Sequence, residues 1–182
     1  MFIKLQPSDE ILDIGANIGQ AMLILHHIFP KNKIYSFEPQ IKEFSFLELN
    51  RQLNHVPGSN FHSLISREAK NYPLSIDEST GGRSTQISDN GSIQVLGTTL
   101  NSVITKNTKL IKVDIEGYES ELFNEYSETF NNIHFIIEVR ESTSKVVMET
   151  FILTHKIIRL EDGIRLTNPA EIEFCNLLIS PL

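Results

Sequence analysis

Residues 11–20 read ILDIGANIGQ, a β-type run passing through two glycines into a helical stretch. Gly15 and Gly19 bracket Ala16, Asn17 and Ile18. Glycine at such a turn lets backbone approach a ligand closely. The helix N-terminus behind it offers free N–H groups that favour a carboxylate or phosphate. Asp13 stands just ahead of the loop, where its carboxylate is placed to accept from a ligand ammonium group. Glu38 closes the next β-type run, roughly 20 residues on, where doubly wound folds hydrogen-bond a ribose diol. Pro39 then turns the chain away.

The dinucleotide fingerprint G-x-G-x-x-G needs a second glycine so that backbone can meet a pyrophosphate. Asn17 occupies that position here. The loop therefore favours a nucleoside ligand with a polar end and no pyrophosphate, and a nicotinamide-dependent oxidoreductase is the weaker alternative. Taken alone, the glycines also fit a tight strand-to-helix turn with no ligand. Asp13 and Glu38 weigh against that reading.

A second set of acids lies farther along. Asp114 and Glu116 follow the apolar run at Leu110, and Gly117 leaves room beside them. Residues two apart in extended chain point to one face. Glu138 ends the run Ile133–Val139, so all three acids are expected at one cleft beyond the carboxyl ends of the strands. Asp114 or Glu116 is the candidate general base for an attacking hydroxyl, a role typically worth about 10²–10⁴-fold. The competing use for Glu116 and Glu119 is at the N-terminus of the following helix. The six histidines are scattered without zinc spacing, and no metal site is expected.

These residues need a scaffold of alternating strands and helices, hence an α/β fold with a mostly parallel sheet. Strands are expected at 11–14, 33–37, 61–65, 72–76, 93–100, 110–115, 133–139, 156–161 and 173–180. Helices are expected at 18–29, 40–53 and 144–153, with another carrying Leu122, Phe123, Tyr126 and Phe130. Asp162-Gly163 between alternating residues predicts a hairpin turn. Residues 77–92 read as one long polar loop, with Ser79, Gly81, Gly82, Arg83 and Ser84 as a candidate lid.

The chain of 182 residues fits a single domain over 1–182. A formal net charge of −7 without a Lys/Arg run argues against a nucleic-acid partner. No apolar run approaches the ~20 residues that span a bilayer, so no membrane partner is expected. One cysteine and no leader pattern at the N-terminus point to the cytoplasm.

Four stretches resemble the FkbM family of S-adenosylmethionine-dependent methyltransferases: ILDIGANIG at 11–19, SFEP at 36–39 with Asn50 beyond it, LIKVDIEGYE at 110–119, and FIIEV at 135–139. The resemblance implies a class I methyltransferase fold: a Rossmann-like seven-stranded sheet, mostly parallel, with a C-terminal antiparallel hairpin and helices on both faces. It implies S-adenosyl-L-methionine as cofactor and O-methylation of a small hydroxylated acceptor, a sugar or natural product. By position, Asp13, Gly15, Ala16, Asn17 and Gly19 would surround the methionine part, Glu38 and Pro39 the ribose, and Ile65 and Ser66 the adenine. Two departures stand out. Leu100-Asn101 replaces the family's Leu-Asp, and only about ten residues precede the first strand. A cover over the site would then come from residues 77–92 or from a second copy of the chain. The alternative class of function is a cofactor-binding partner subunit without its own catalysis.

Overall fold

The computed structural model describes residues 3–77, 84–88, 90–124, 126–168 and 174–182. Its strands run in chain order β1 (Glu10–Ile14), β2 (Lys33–Phe37), β3 (Gly58–Phe61), β4 (Leu64–Ser66), β5 (Asn71–Asp77), β6 (Ser84–Ile87), β7 (Ile93–Thr99), β8 (Thr108–Val113), β9 (His134–Val139), β10 (His155–Arg159) and β11 (Cys175–Pro181). The helices are α1 (Gln20–Ile28), α2 (Ile41–Leu53), α3 (Leu100–Val103), α4 (Glu119–Leu122) and α5 (Glu141–Phe151).

Seven strands form one sheet in the order β10-β11-β9-β8-β1-β2-β3. Pairing is parallel from β9 through β3, and β11 runs antiparallel to both β9 and β10. The result is a mixed sheet ending in an antiparallel pair, flanked by helices, as expected of a Rossmann-like α/β methyltransferase fold. Alternation along the strands splits the core in two. Ile11, Ile34 and Leu110 pack with Met22 and Leu25 of α1 and Leu47 of α2. Leu12, Ile111, Phe135 and Ile137 face the other way, with Val147, Met148 and Phe151 of α5. Phe123, Phe130, Phe135 and Phe151 meet there edge-on or tilted, at centroid distances of 4.8–6.1 Å.

Several expectations need correction. The strand expected at 61–65 is two strands. β3 joins the main sheet, and β4 pairs in parallel with β7 in a second sheet of order β4-β7-β5-β6. Ser63 marks the break, its hydroxyl donating to the Leu96 carbonyl at 2.8 Å. The stretch at 77–92 is not all loop. β6 pairs antiparallel with β5, setting Leu74 opposite Ile87. The ladder is made by backbone groups, so a polar segment pairs once a neighbouring strand is at hand. Of the candidate lid, Ser79, Gly81, Gly82 and Arg83 lie outside the described residues, and Ser84 begins β6.

The helix expected through Phe130 is also interrupted. α4 is one turn, and a separate 3-10 turn over Glu128–Asn132 begins where the Ser127 hydroxyl accepts the Thr129 N–H. Asn101 lies inside α3, with Thr99 at the N-cap position. The Asp162-Gly163 turn forms, but its return is a single bridge, Ile158 to Arg165, along the free edge of β10. The full antiparallel ladder of β10 is made with β11 along its other edge. Among the described residues no helix is long and apolar enough to cross a membrane.

Candidate active site

One cleft opens at the carboxyl ends of β1, β2 and β8. Gly15, Asn17, Glu38, Pro39, Ile65, Asp114 and Glu116 line it together with Ser63 and Leu64. This is where open α/β sheets bind ligands.

The glycine loop is held down on all sides. The N–H groups of Gly15 and Ala16 donate to the Phe37 carbonyl at 3.1 and 3.0 Å. A Cβ on Gly15, whose φ is +71°, would lie 1.9 Å from the Asp114 carbonyl oxygen. Only glycine lets β1 leave its strand this close to the end of β8. Asn50 Nδ2 of α2 donates to the Ile18 carbonyl at 2.7 Å, fastening the far side of the loop.

Glu38 is the most constrained acid of the cleft. One carboxylate oxygen accepts the Asn17 N–H and the other the Gln40 N–H, each at 2.8 Å. Burial pushes its pKa up to about 7, opposed by these two hydrogen bonds. Each oxygen retains a further lone pair, so the group suits the two hydroxyls of a ribose. Ile65 gives the cleft an apolar wall, as an adenine ring requires.

Asp13 does not line the cleft. Its side chain is wholly buried on the α1–α2 face, with Lys112 Nζ at 3.3 Å. Asp13 and Lys112 are register partners of β1 and β8. The same ammonium donates to the Gly15 carbonyl at 2.8 Å and lies 3.7 Å from Asp114 Oδ2. Lys112 thus joins a buried acid, the loop backbone and a cleft acid. Its sequence signal is a lone cation within the run LIKVD.

Ala16 and Ser66 are buried and also lie off the cleft. The Ser66 hydroxyl donates to the Glu68 carbonyl at 2.9 Å. Gly19 packs beneath Leu47. Glu138 opens on a neighbouring cavity on the α1 side, which it shares with Lys112 and Asp114. Its pKa is raised by burial first, then by the charges of Asp114 and Glu116. The three acids therefore feel one another, but only Asp114 and Glu116 reach the same cleft.

Glu116 has left-handed backbone (φ +58°) and pairs with Arg140 at the start of α5. Glu119 holds that turn. Its Oε1 accepts the N–H groups of Ile115 and Gly117, both at 3.2 Å. The acid expected at the helix N-terminus thus caps the turn ahead of the helix. His134 is tied to the Ser180 hydroxyl at 3.0 Å and serves the sheet. Arg51, buried in α2, donates to the carbonyls of Ile34, Val56, Pro57 and Ser59 and so stitches β2 to β3.

Residues 13–161 match the family described as the Methyltransferase FkbM domain. The chain belongs to the FkbM family of S-adenosylmethionine-dependent methyltransferase domains. A 67-residue stretch is 36% identical to the 31-O-demethyl-FK506 methyltransferase FkbM of Streptomyces tacrolimicus, covering 37% of this chain and 26% of that relative. In structure, the chain resembles the methyltransferase FkbM of Methylobacillus flagellatus KT. The TM-score is 0.63 at 16% identity, over 97% of this chain and 45% of that one. A methyltransferase from Pyrococcus furiosus superposes with a TM-score of 0.54 at 15% identity, over 98% and 76%. The last two likenesses are of fold. The chain thus spans about a quarter of the curated relative and less than half of the Methylobacillus structure. The cofactor that goes with the family is S-adenosylmethionine, and the cleft offers a carboxylate with free acceptor capacity, an apolar wall and a close-packed glycine loop.

Proposed function

We propose that the chain is a class I methyltransferase that transfers a methyl group from S-adenosylmethionine to a hydroxyl of a small acceptor, a sugar, glycoconjugate or secondary metabolite. The observation that carries this reading is one cleft holding the glycine loop, Glu38, Asp114 and Glu116 together. The seven-stranded sheet with its reversed β11 is read as the scaffold of that class.

S-adenosylmethionine, when bound, supplies an electrophilic methyl on sulfur. The residues of the chain do the rest. Glu38 would hold the ribose hydroxyls, Asn17 and Gly15 would lie beside the methionine part, and Ile65 would cover the base. Asp114 or Glu116 would receive the hydroxyl proton as the new oxygen–methyl bond forms and the sulfur–methyl bond breaks, leaving S-adenosylhomocysteine. Holding nucleophile and methyl in line contributes more than the base, since orientation is worth about 7–11 kcal/mol.

The test is transfer of labelled methyl to a panel of sugars and natural-product alcohols, with the product identified as a methyl ether. Asp114→Asn or Glu116→Gln is expected to lower kcat about 10²-fold or more with cofactor affinity kept. Near-normal turnover in both variants rules out an acid base. Cofactor binding without transfer to any alcohol favours the partner-subunit reading.

A further inference from the structure

A second cavity, of about 460 Å³, adjoins the cleft and shares Pro39, Leu64, Ile115 and Glu116 with it. Its far walls are Leu74 and Ile87 of the small sheet on one side and Tyr118 and Glu121 of the turn and α4 on the other. The acids Asp114, Glu116 and Glu138 direct attention to the ends of β8 and β9. The larger opening faces instead toward the inserted sheet.

We propose that the acceptor occupies this cavity and is an uncharged or amine-bearing hydroxyl compound with an apolar face, not an anionic one. The inference rests on reading the adjoining cleft as the methyl-donor site. Three observations support it. The shared wall puts any molecule in the cavity next to Glu116 and to the cleft. Leu64, Leu74, Ile87 and Ile115 offer an apolar bed for a ring face.

Among the described residues, the charged side chains that line it are acidic. Glu116 and Glu121 line the cavity, Glu68 acts on Tyr118 from beyond it, and no lysine, arginine or histidine lines it among the described residues. Among the described residues, Arg140 is paired with Glu116, and Lys70 with Glu68 at 2.8 Å. Tyr118, pushed up to about 12 by burial and by Tyr72 and Glu121, keeps its proton. It is a neutral hydrogen-bond donor and gives an anion no countercharge.

Ile87 is 36% exposed, and the native Cys175 is 3% exposed, so Ile87→Cys places one reactive thiol at the cavity wall. That thiol is reacted with methanethiosulfonates bearing trimethylammonium or sulfonate, against 2-mercaptoethanol as reference. The cationic reagent is expected to be favoured about tenfold, and Glu121→Lys in the same background to erase the preference. Equal rates, or preference for the anion, overturn the charge assignment.

Turnover then tests occupancy. Matched neutral, amine-bearing and carboxylate-bearing glycosides are compared, with the carboxylate expected about tenfold worse in kcat/KM. Ile87→Trp is expected to raise the acceptor KM about tenfold while S-adenosylhomocysteine affinity, which also reports folding, stays unchanged. An unchanged KM, or a preferred carboxylate, overturns the proposal. If no glycoside is methylated while S-adenosylhomocysteine binds, the methyl-transfer reading fails, and the reagent ratio alone judges the cavity.

Discussion

Lys112 shows what a single buried cation does for this site. Its ammonium is a countercharge 3.3 Å from Asp13, whose oxygens accept no hydrogen bond among the described residues. Removing one partner of a buried pair leaves an uncompensated charge and costs about 3–5 kcal/mol. Lys112→Met is therefore expected to lower unfolding free energy in urea by that amount. Asp13→Asn added to it is expected to restore most of the loss. Strictly additive losses in the double variant would mean that the two residues are not coupled. Glu38 makes a pH prediction. Its folded pKa, about 7, stands above the ordinary 4.5, so its contribution is complete below 4.5 and is lost as pH rises to about 7. Without cofactor, the protein is expected to lose stability across that window, and Glu38→Gln to flatten the loss. Denaturation midpoints from pH 4 to 8 check it. Glu38 and Asn17 were legible in the sequence because their spacing is local. The Asp13–Lys112 pair was not, because it depends on the register of two strands about a hundred residues apart.

Element boundaries explain which parts of the site formed as the sequence implied. β1, β2 and β8 are runs ended by glycine or acid, and they and β9 appear close to where the pattern puts them. Two strands of the small sheet, β5 and β7, fall on the runs expected at 72–76 and 93–100, but β4 and β6 were hidden because they are three and four residues long. Runs that short carry no period and become strands only when a neighbour pairs with them. Helical spacing through Tyr126 and Phe130 misled for a related reason. Phe123 and Phe130 reach one core cluster from the two sides of the break, while Tyr126 between them stays exposed and meets Phe130 edge-on. The two turns that shape the cleft predict different costs. Gly15→Ala drives a methyl into the Asp114 carbonyl and is expected to exceed about 3 kcal/mol or to prevent folding. Gly117 has φ +100° with open space beside it, so Gly117→Ala is expected to cost only about 1–2 kcal/mol. Thermal or denaturant unfolding of the two variants separates steric from conformational strain.

For the molecule as a whole, the fold places the chemistry where the strands end. The glycine loop leaves β1, Glu38 leaves β2, and Asp114 and Glu116 leave β8, so one edge of the sheet gathers groups that are far apart in the chain. Glu138, on β9, is turned to the other side by the alternation of its strand. The inserted sheet then walls the space beside that edge. Family membership came from the glycine loop and the SFEP and DIEGYE stretches, which are short and stereotyped. The cavity proposed for the acceptor is walled by β5, β6 and the turn before α4, and no single stretch of sequence announces it. The central claim is that Glu38 and the glycine loop bind S-adenosylmethionine. Calorimetric titration of the intact chain with S-adenosylhomocysteine tests it most directly. The account predicts one-to-one binding that is weakened at least about tenfold by Glu38→Ala, roughly 1.4 kcal/mol, with no binding of NADH. Binding that is absent, or that is indifferent to Glu38→Ala, would contradict it.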